Sequence, residues 1–183
     1  MDDLTGHLLV AMPAMGDPRF TRSVIFVCAH SADGAMGLVI NRPSEDMRLI
    51  HLAEHLEVEM GDARDLPVHM GGPVEPGRGF VLHSTDWAGE ISTVPAGEGF
   101  SLTATRDAIE ALAVGGGPRR AIAALGYAGW GEGQIEGELA QNAWLTVPAD
   151  PDLVFGPDAR KWDAALGALG VDPRLLSAAS GTA

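Results

Sequence analysis

The sequence is poor in cysteine and lysine, and each shortage excludes a class of chemistry. Cys28 is the single cysteine among 183 residues, so neither an internal disulfide nor a cysteine-based zinc cluster is available. Lys161 is the only lysine, and no GxxxxGK[ST] motif occurs. A P-loop and a Schiff-base site therefore lack the residue on which they usually depend.

Cations of any kind are scarce. The chain carries 12 Lys and Arg residues against 25 Asp and Glu, and its net charge is −13. Adjacent basic residues occur only at Arg119-Arg120 and Arg160-Lys161. Nucleic-acid-binding proteins use a stripe of cations to neutralise phosphates, and an acidic surface repels DNA. Direct nucleic-acid binding is therefore disfavoured.

Long apolar runs are also missing. None approaches the length of a membrane span, so no membrane segment is predicted. The first residues carry acids where a signal peptide carries cations, which predicts a cytoplasmic, mature N-terminus. Hydrophobic residues nevertheless make up 46 %, which suits a globular domain with a core.

The spacing of apolar residues predicts both strands and helices. Residues 22–30 and 37–41 are expected to form a hairpin that turns at Asp33-Gly34, and NRPSED and PVEPGRG are expected to interrupt the strand pattern. Other strands are predicted at 7–12, 66–74, 79–84, 90–94, 99–105, 119–129 and 143–147. Helices are predicted at about 47–57, from the N-cap Thr105 to three glycines, at 132–142 and at 158–169.

No internal repeat or low-complexity linker divides the chain. Residues 1–175 are therefore predicted to form one domain, followed by a flexible tail at 176–183. Strands cluster early, whereas helices alternate with strands later. This order favours an α+β fold over a doubly wound sheet.

The segment HLAEH, residues 51–55, matches the H-x-x-E-H pattern of inverted zinc proteases. On a helix, His51 and His55 could share one metal, with Glu54 as the base. A third ligand has to come from elsewhere, and the favoured interpretation places both histidines on the solvent face of an amphipathic helix. No metal or other cofactor is predicted.

Cys28 and His30 are two residues apart on a predicted strand, so their side chains are expected on one face. That spacing is about 7 Å, too far for a direct hydrogen bond, and it argues against a nucleophilic pair. His30 and His83 each end a predicted strand. A structural hydrogen bond at the strand end is the favoured role for both, and a place in a site is the alternative.

The stretch GYAGWGEGQIEGELAQNAW, residues 126–144, places four glycines around Trp130. Their spacing does not match a dinucleotide-binding loop. A tight corner between a strand and a helix explains the glycines, and the acids suit the helix start. The alternative is a ligand-binding cleft, with Trp130 as its apolar wall and Gln134, Glu138 and Asn142 as a polar stripe.

Three long blocks resemble the YqgE/AlgH family of bacterial proteins. They are LLVAMPAMGDPRFTRSVIFVCAHSADGAMGLVINRP (8–43), MGGPVEPGRGFVLH (70–83) and ALGYAGWGEGQIEGELAQNAWL (124–145), with LVF at 153–155. The resemblance implies a single α+β domain, in which a branched, mixed β-sheet rolls into a pseudo-barrel with helices packed outside. HLAEH lies outside these blocks, which further disfavours the metal hypothesis.

The resemblance implies little about chemistry. The family is largely uncharacterised and has no agreed catalytic residues. Some members are called transcriptional regulators because of a link with alginate production, without a recognised DNA-binding motif. The polar residues in the matched blocks that are the first to test for a shared cleft are Asp17, His30, Asn41, His83, Gln134 and Glu138.

Two functional hypotheses follow. The first is a cytoplasmic, non-enzymatic regulatory or binding protein with a protein or small-molecule partner, whose ligand-binding residues are Asn41, Trp130, Gln134, Glu138 and Asn142. The second is a hydrolase. This hypothesis requires that its acid and base groups converge on one site, with or without a metal. Its candidate catalytic residues are Asp17, His30, His83 and Glu138.

Overall fold

Strands and short helices make up most of the chain in the computed structural model, which describes residues 2–13, 15–104 and 106–174. Two of the predictions lie outside these residues. They are the N-cap role of Thr105 and the flexible tail at 176–183.

Ten strands occur in the described residues, and many of them are rich in β-branched and other apolar side chains. They are β1 His7–Ala11, β2 Val24–Ser31, β3 Gly34–Val39, β4 Pro43–Arg48, β5 Pro67–Met70, β6 Val74–Ser84, β7 Val94–Pro95, β8 Phe100–Thr103, β9 Ala121–Gly131 and β10 Trp144–Pro148. The predicted hairpin at Asp33-Gly34 is confirmed, because β2 and β3 pair antiparallel on either side of it.

The helices are short and lie mostly in the second half of the chain. They are α1 Leu49–His55, α2 Arg106–Ala113, α3 Gln134–Ala140, α4 Pro151–Val154 and α5 Asp158–Ala168, with one turn of 3-10 helix at Pro18–Phe20. The four helices predicted from apolar spacing correspond to α1, α2, α3 and α5. Helix α2 ends just before the three glycines at 115–117, which confirms the stop signal that they give.

The strands join in one curled sheet in the order β10-β1-β2-β3-β9-β6-β8-β7, and neighbours along this path are antiparallel. Strand β4 pairs with β5, which pairs in parallel with β9. The mixed sheet forms a half-barrel with helices packed against it. The predicted single-domain α+β class is therefore confirmed.

Strand β9 is the point at which the sheet branches. One of its edges pairs with β5 at residues 123–125 and with β3 at residues 128–131, while the other edge pairs with β6. Gly126 separates the two segments and has a φ of +72°. A Cβ on Gly126 would lie 2.4 Å from the carbonyl oxygen of Gly72, so only glycine allows the two backbones to approach this closely.

A β-bulge changes the direction of the side chains in β2. The register against β3 shifts between Val27 and Ala29, and His30 then lies opposite Ala35, which is itself opposite Trp130. Cys28 instead packs in the core on the other face. The prediction that Cys28 and His30 share a face was wrong, because one additional residue reverses the alternation.

The alternation of the other strands buries both faces of the sheet. Leu8 and Phe26 belong to the core that Trp162 and Leu166 of α5 complete. The opposite face carries a second core, which Ile135 of α3 covers. A third cluster lies between the sheet and helices α1 and α2. Helix α3 is therefore packed on the face to which the bulge turns His30.

Two predicted breaks are strands, and one predicted strand is mostly absent. NRPSED contributes to β4 and PVEPGRG to the first half of β6; both are largely exposed, so their residues show no apolar alternation. Of the strand predicted at 90–94, only Val94 pairs, as part of β7. Among the described residues, no helix combines the length and hydropathy that crossing a membrane requires.

Candidate functional site

The side chain of Glu138 on α3 holds together the corner between β9 and β10. Its Oε2 accepts hydrogen bonds from Nε1 of Trp130 at 3.0 Å and from Nε1 of Trp144 at 2.8 Å. Its Oε1 accepts a third from Nε2 of Gln134 at 2.9 Å. Both tryptophans are nearly buried, and their rings meet edge to face at 6.4 Å. The carboxylate thus supplies the acceptor that two buried indole N–H groups need.

The other members of the predicted polar stripe fix the two ends of α3. Oε1 of Gln134 accepts a hydrogen bond from the amide of Gly131 at 3.1 Å, which closes the turn from β9 into the helix. Asn142 has a φ of +57°, and its amide donates to the carbonyl of Leu139 at 3.0 Å. An asparagine with a left-handed backbone conformation is typical of the end of a helix. Gln134 therefore belongs to the Glu138 cluster, whereas Asn142 terminates α3.

His30 connects the N-terminal segment to α3. Its Nδ1 accepts a hydrogen bond from the amide of Leu4 at 3.1 Å, which leaves the proton on Nε2. Nε2 donates to Oε1 of Glu136 at 2.9 Å. The neighbouring Glu136 amide dipole and the hydrogen bond from His30 lower the pKa of the Glu136 carboxyl group. Its second oxygen, Oε2, is buried and has no hydrogen-bond partner in the described part of the chain.

A shallow cleft of about 350 Å³ opens at His30, and we refer to it as the α3 cleft because two of its lining residues, His30 and Trp130, bond to side chains of α3. His30 and Trp130 both line it. The other lining residues belong to the hairpin of β2 and β3 and include Ala29, Ser31, Asp33 and Met36. Trp130 is thus both a core residue and a wall of an open cleft. Glu138 and Gln134 support that wall through the indole nitrogen.

Asp17 and Asn41 have structural partners elsewhere. Asp17 caps the 3-10 helix by accepting from the amide of Arg19 at 3.0 Å, and it forms an ion pair with the same residue at 2.7 Å. The amide group of Asn41 accepts from the backbone of Val24 and donates to the carbonyl of Arg22, both at 2.9 Å. Asn41 therefore extends the pairing of β2 and β3 by one residue.

His83 is fully buried in β6 and belongs to a chain of hydrogen bonds. Nδ1 donates to the carbonyl of Ser84 at 2.8 Å, so Nε2 accepts from the hydroxyl of Thr103 at 2.9 Å. Thr103 in turn contacts the hydroxyl of Thr93 at 2.8 Å. Burial lowers the pKa of His83 and favours its neutral form. Both ring nitrogens are satisfied inside the protein, which agrees with the structural role favoured from the sequence.

The histidines of HLAEH lie on α1, as the spacing predicts, and both are exposed. Nδ1 of His51 accepts a hydrogen bond from the amide of Arg48 at 3.0 Å, at the start of the helix. Within residues 2–13, 15–104 and 106–174, no group of three or more His, Cys, Asp or Glu side chains has the arrangement of a metal site. The metal role of His51 and His55, which the sequence disfavours, stays an alternative hypothesis.

Cys28 is buried and burial raises the pKa of its thiol to about 12. A thiol with that pKa is almost entirely protonated at neutral pH and is therefore a poor nucleophile.

Lys161, Asp158 and His69 form a buried ionic group that was not predicted from the sequence. Nζ of Lys161 donates to Oδ1 of Asp158 and to the carbonyl of Ile40, each at 2.6 Å. Nε2 of His69 donates to the same Oδ1 at 2.9 Å. Burial lowers the pKa of Lys161 despite the nearby carboxylate. The one available signal was that Lys161 is the only lysine in the sequence. A lysine is almost never fully buried unless it is paired with a specific partner.

The structure thus brings together part of the predicted set. Gln134 and Glu138 lie on α3, and His30 and Trp130 bond to side chains of this helix and line the α3 cleft. Asp17, Asn41 and His83 form hydrogen bonds with residues outside α3, and the amide of Asn142 bonds the carbonyl of Leu139 rather than a side chain of the Glu138 cluster. The ligand-binding and catalytic roles assigned to these residues stay predictions.

Comparison with known proteins gives close relatives along the whole chain. A UPF0301 protein of Ruegeria pomeroyi is 55% identical over 184 residues, which cover 99% of this chain and 100% of that protein. A UPF0301 protein of Rhodospirillum rubrum is 53% identical and covers 98% of this chain and 94% of its own length.

Solved structures show the same fold. The solution structure of the AlgH protein from Pseudomonas aeruginosa superposes with a TM-score of 0.79 at 42% identity, covering 99% of this chain and 96% of that one. A Corynebacterium diphtheriae protein has a TM-score of 0.74 at 20% identity over 94% of this chain and 90% of its own, a likeness of fold alone. The family model described as AlgH-like (DUF179) matches residues 8–174. The chain therefore belongs to the AlgH-like family, as the three sequence blocks predicted.

Proposed function

We propose that this protein is a cytoplasmic, non-enzymatic binding protein that acts in regulation through a protein or small-molecule partner, with any effect on transcription indirect. We assign the partner contact to the α3 cleft. The partner is expected to present a cationic hydrogen-bond donor next to an apolar group.

The observation that carries this proposal is the second carboxylate oxygen of Glu136. Oε1 receives the hydrogen bond from His30, whereas Oε2 is buried without a donor among the described residues. Leaving such a group unpaired costs on the order of 1–3 kcal/mol. The Glu136 side chain is 25% exposed, and a partner that donates to Oε2 once the carboxylate turns toward it recovers this free energy. Because the pKa of Glu136 is lowered, the carboxylate is ionised at neutral pH and favours a cationic donor.

The surroundings of Glu136 support the same partner chemistry. Trp130 and Met36 give the α3 cleft an apolar wall, Asp33 places a negative charge in its lining, and Glu136 adjoins the cleft through its hydrogen bond with His30. The net charge of −13 attracts cations to the molecule and repels polyanions such as DNA. A basic side chain beside a hydrophobic one, or an amine with an apolar body, fits these features.

The hydrogen bonds of the candidate acid and base groups favour binding over hydrolysis. A hydrolase needs its nucleophile, base and orienting group in mutual contact. Asp17 is bonded to Arg19, His30 to Glu136, His83 to Thr103, and Glu138 to two tryptophans. Each of the four side chains therefore bonds a different partner. Each of these bonds has a role in stabilising the fold, which accounts for the position of the side chain.

The test uses one variant that alters Oε2 and leaves the His30 contact in place. Glu136→Gln keeps an acceptor for Nε2 of His30 but replaces the unpaired oxygen by an N–H group, which repels a donor. The matched control is Glu132→Gln, an exposed residue on the same turn that loses the same charge. Both variants are compared with the parent protein in thermal-shift screens against amines, amino acids and short basic peptides.

We expect a ligand that stabilises the parent and Glu132→Gln but not Glu136→Gln. At a hundred times its dissociation constant such a ligand adds about 2.7 kcal/mol to the free energy of unfolding. Ligands that stabilise all three proteins equally would argue against the α3 cleft. Tight, salt-dependent binding to duplex DNA would contradict the proposed indirect effect on transcription. A hydrolase activity that His30→Gln abolishes would contradict the proposed non-enzymatic role.

A further inference from the structure

We propose that a second cleft, on different residues, binds a small organic molecule that carries a phosphate group. This cavity of about 850 Å³ is bordered by Arg64, Arg119 and Arg120, by the glycines 115–117 and by Phe155, and we refer to it as the arginine cleft. It shares no lining residue with the α3 cleft. The inference therefore goes beyond the proposed function and does not depend on it.

Charge is the first argument. The molecule has a net charge of −13 and only 12 cationic residues, yet three of them line this one cavity. Two acids, Asp62 and Asp152, also line it, so arginine is still in excess. A local excess of positive charge inside an acidic surface directs an anion to this cavity rather than elsewhere on the molecule.

The arginines are also available to a ligand. Arg64 makes no hydrogen bond or ion pair within the part of the chain that the structure describes. The side chain of Arg119 is 90% exposed, and its ion pair with Asp86 is long, at 3.9 Å. Arg120 is held in place by Asp152 at 2.8 Å. Arg64 thus has no partner among the described residues, Arg119 has one long ion pair, and Arg120 is already positioned; each guanidinium group can bind two phosphate oxygens at once.

The glycine loop supplies backbone donors on the same cavity. The amides of Gly116 and Gly117 donate no hydrogen bond to any other described residue. Gly117 has a φ of +79°, a conformation that favours glycine. A loop without side chains lets an anion approach its N–H groups directly, as in backbone phosphate-binding sites. Phosphate oxygens match this combination of free amides and guanidinium groups.

The size and the remaining lining point to an organic phosphate rather than inorganic phosphate alone. A volume of about 850 Å³ lies within the range of roughly 300–1,000 Å³ typical of small-molecule sites. Phe155, Leu66 and Leu112 provide apolar surface for a ring or a carbon skeleton. Asp62 is placed in the lining to accept a hydroxyl or amino group of that skeleton.

The test is a calorimetric titration of the full chain with phenyl phosphate and with inorganic pyrophosphate. Arg64→Gln/Arg119→Gln removes two guanidinium groups of the cavity and breaks only the long ion pair of Arg119 with Asp86. Arg160→Gln is the control, because Arg160 is exposed on α5, has no side-chain partner among the described residues, and lies outside the cavity lining. Melting temperatures of all variants verify that each is folded.

We expect one saturable site for phenyl phosphate, with an affinity that falls at least about tenfold in the double variant and stays within about twofold in Arg160→Gln. In amide NMR spectra the titration should shift the signals of Gly116 and Gly117. Failure of both probes to saturate at about 10 mM would overturn the proposal. An equal loss of affinity in Arg160→Gln would overturn it as well, because binding would then follow net charge alone.

Discussion

Nζ of Lys161 lies 2.6 Å from Oδ1 of Asp158, and the same oxygen accepts a hydrogen bond from His69. Lys161 is only 2% exposed, whereas the side chain of Asp158 retains 23%. Burial raises the pKa of Asp158, but the hydrogen bonds from His69 and Lys161 outweigh that effect, and the pKa is lowered. This group fastens α5 to the sheet, because His69 lies in β5 and Lys161 also bonds the carbonyl of Ile40.

The ionic group predicts an asymmetric response to mutation. Asp158→Ala leaves the buried ammonium of Lys161 without a counter-ion, and we expect it to lower the free energy of unfolding by about 3–5 kcal/mol. Lys161→Met should cost less, because Asp158 keeps His69 and contact with solvent. The double variant should be more stable than Asp158→Ala alone, since it no longer buries an unpaired charge. Urea unfolding of the three variants measures this, and strictly additive losses would contradict it.

The second prediction concerns the carboxylate between two tryptophans. Glu138→Ala leaves the indole N–H groups of Trp130 and Trp144 without an acceptor, and a loss of about 2–4 kcal/mol in unfolding free energy is expected. Tryptophan fluorescence should change as well, because both rings lose a charged neighbour. Glu132→Ala, in the exposed turn before α3, should stay within about 0.5 kcal/mol. Equal stability of the two variants would show that the indole contacts contribute little.

His83 predicts how stability depends on pH. Its pKa is lowered by burial below the ordinary value of 6.5, so the unfolded chain binds this proton at a higher pH than the folded protein does. As the pH falls from about 7 through 6.5, proton uptake favours the unfolded state and His83 therefore reduces stability. The parent protein should lose stability between pH 7 and 5 more steeply than His83→Gln. Parallel curves for the two proteins would contradict this assignment.

The glycines of the corner predict opposite effects at two nearby positions. Gly126→Ala would place a Cβ 2.4 Å from the carbonyl of Gly72 at a φ of +72°, which should cost at least about 2 kcal/mol. At Gly131 a Cβ would meet no atom within 4 Å. Gly131→Ala is therefore expected to be neutral or to stabilise the protein by up to about 1 kcal/mol. Thermal unfolding of the two variants shows whether glycine is required at Gly126 for the close approach of the backbones while it is dispensable at Gly131.

Local signals in the sequence were enough to predict the hairpin at Asp33-Gly34, the corner before α3 and the end of α2. In each case glycine and the spacing of apolar residues act within a few positions of the feature they determine. The family resemblance, carried by three long blocks, added the curled and branched sheet. The helix α3 was predicted for the same local reasons, and with it the approach of Gln134 to Glu138.

Features that depend on contacts between distant segments could not be predicted. The bulge in β2 reverses the face of His30, and nothing within VIFVCAHS indicates where the additional residue lies. His69 and Lys161 are far apart in sequence, and they meet only after β5 and α5 have packed. The arginine cleft likewise joins Arg64 to Arg119 across several elements. Periodicity describes one element at a time and contains no information about such pairs.

The position of β1 in the sheet has a consequence for synthesis on the ribosome. His7 pairs with Pro148 and Ala11 with Trp144, so β1 receives its second neighbour only from β10. A nascent chain that has reached Ala143 can pair β1 with β2, but the other edge of β1 is still open. An open, apolar strand edge is a template for pairing with other chains. The emerging protein must therefore protect its first strand throughout most of translation, and a chain that stops before β10 exposes an aggregation-prone edge at its very beginning.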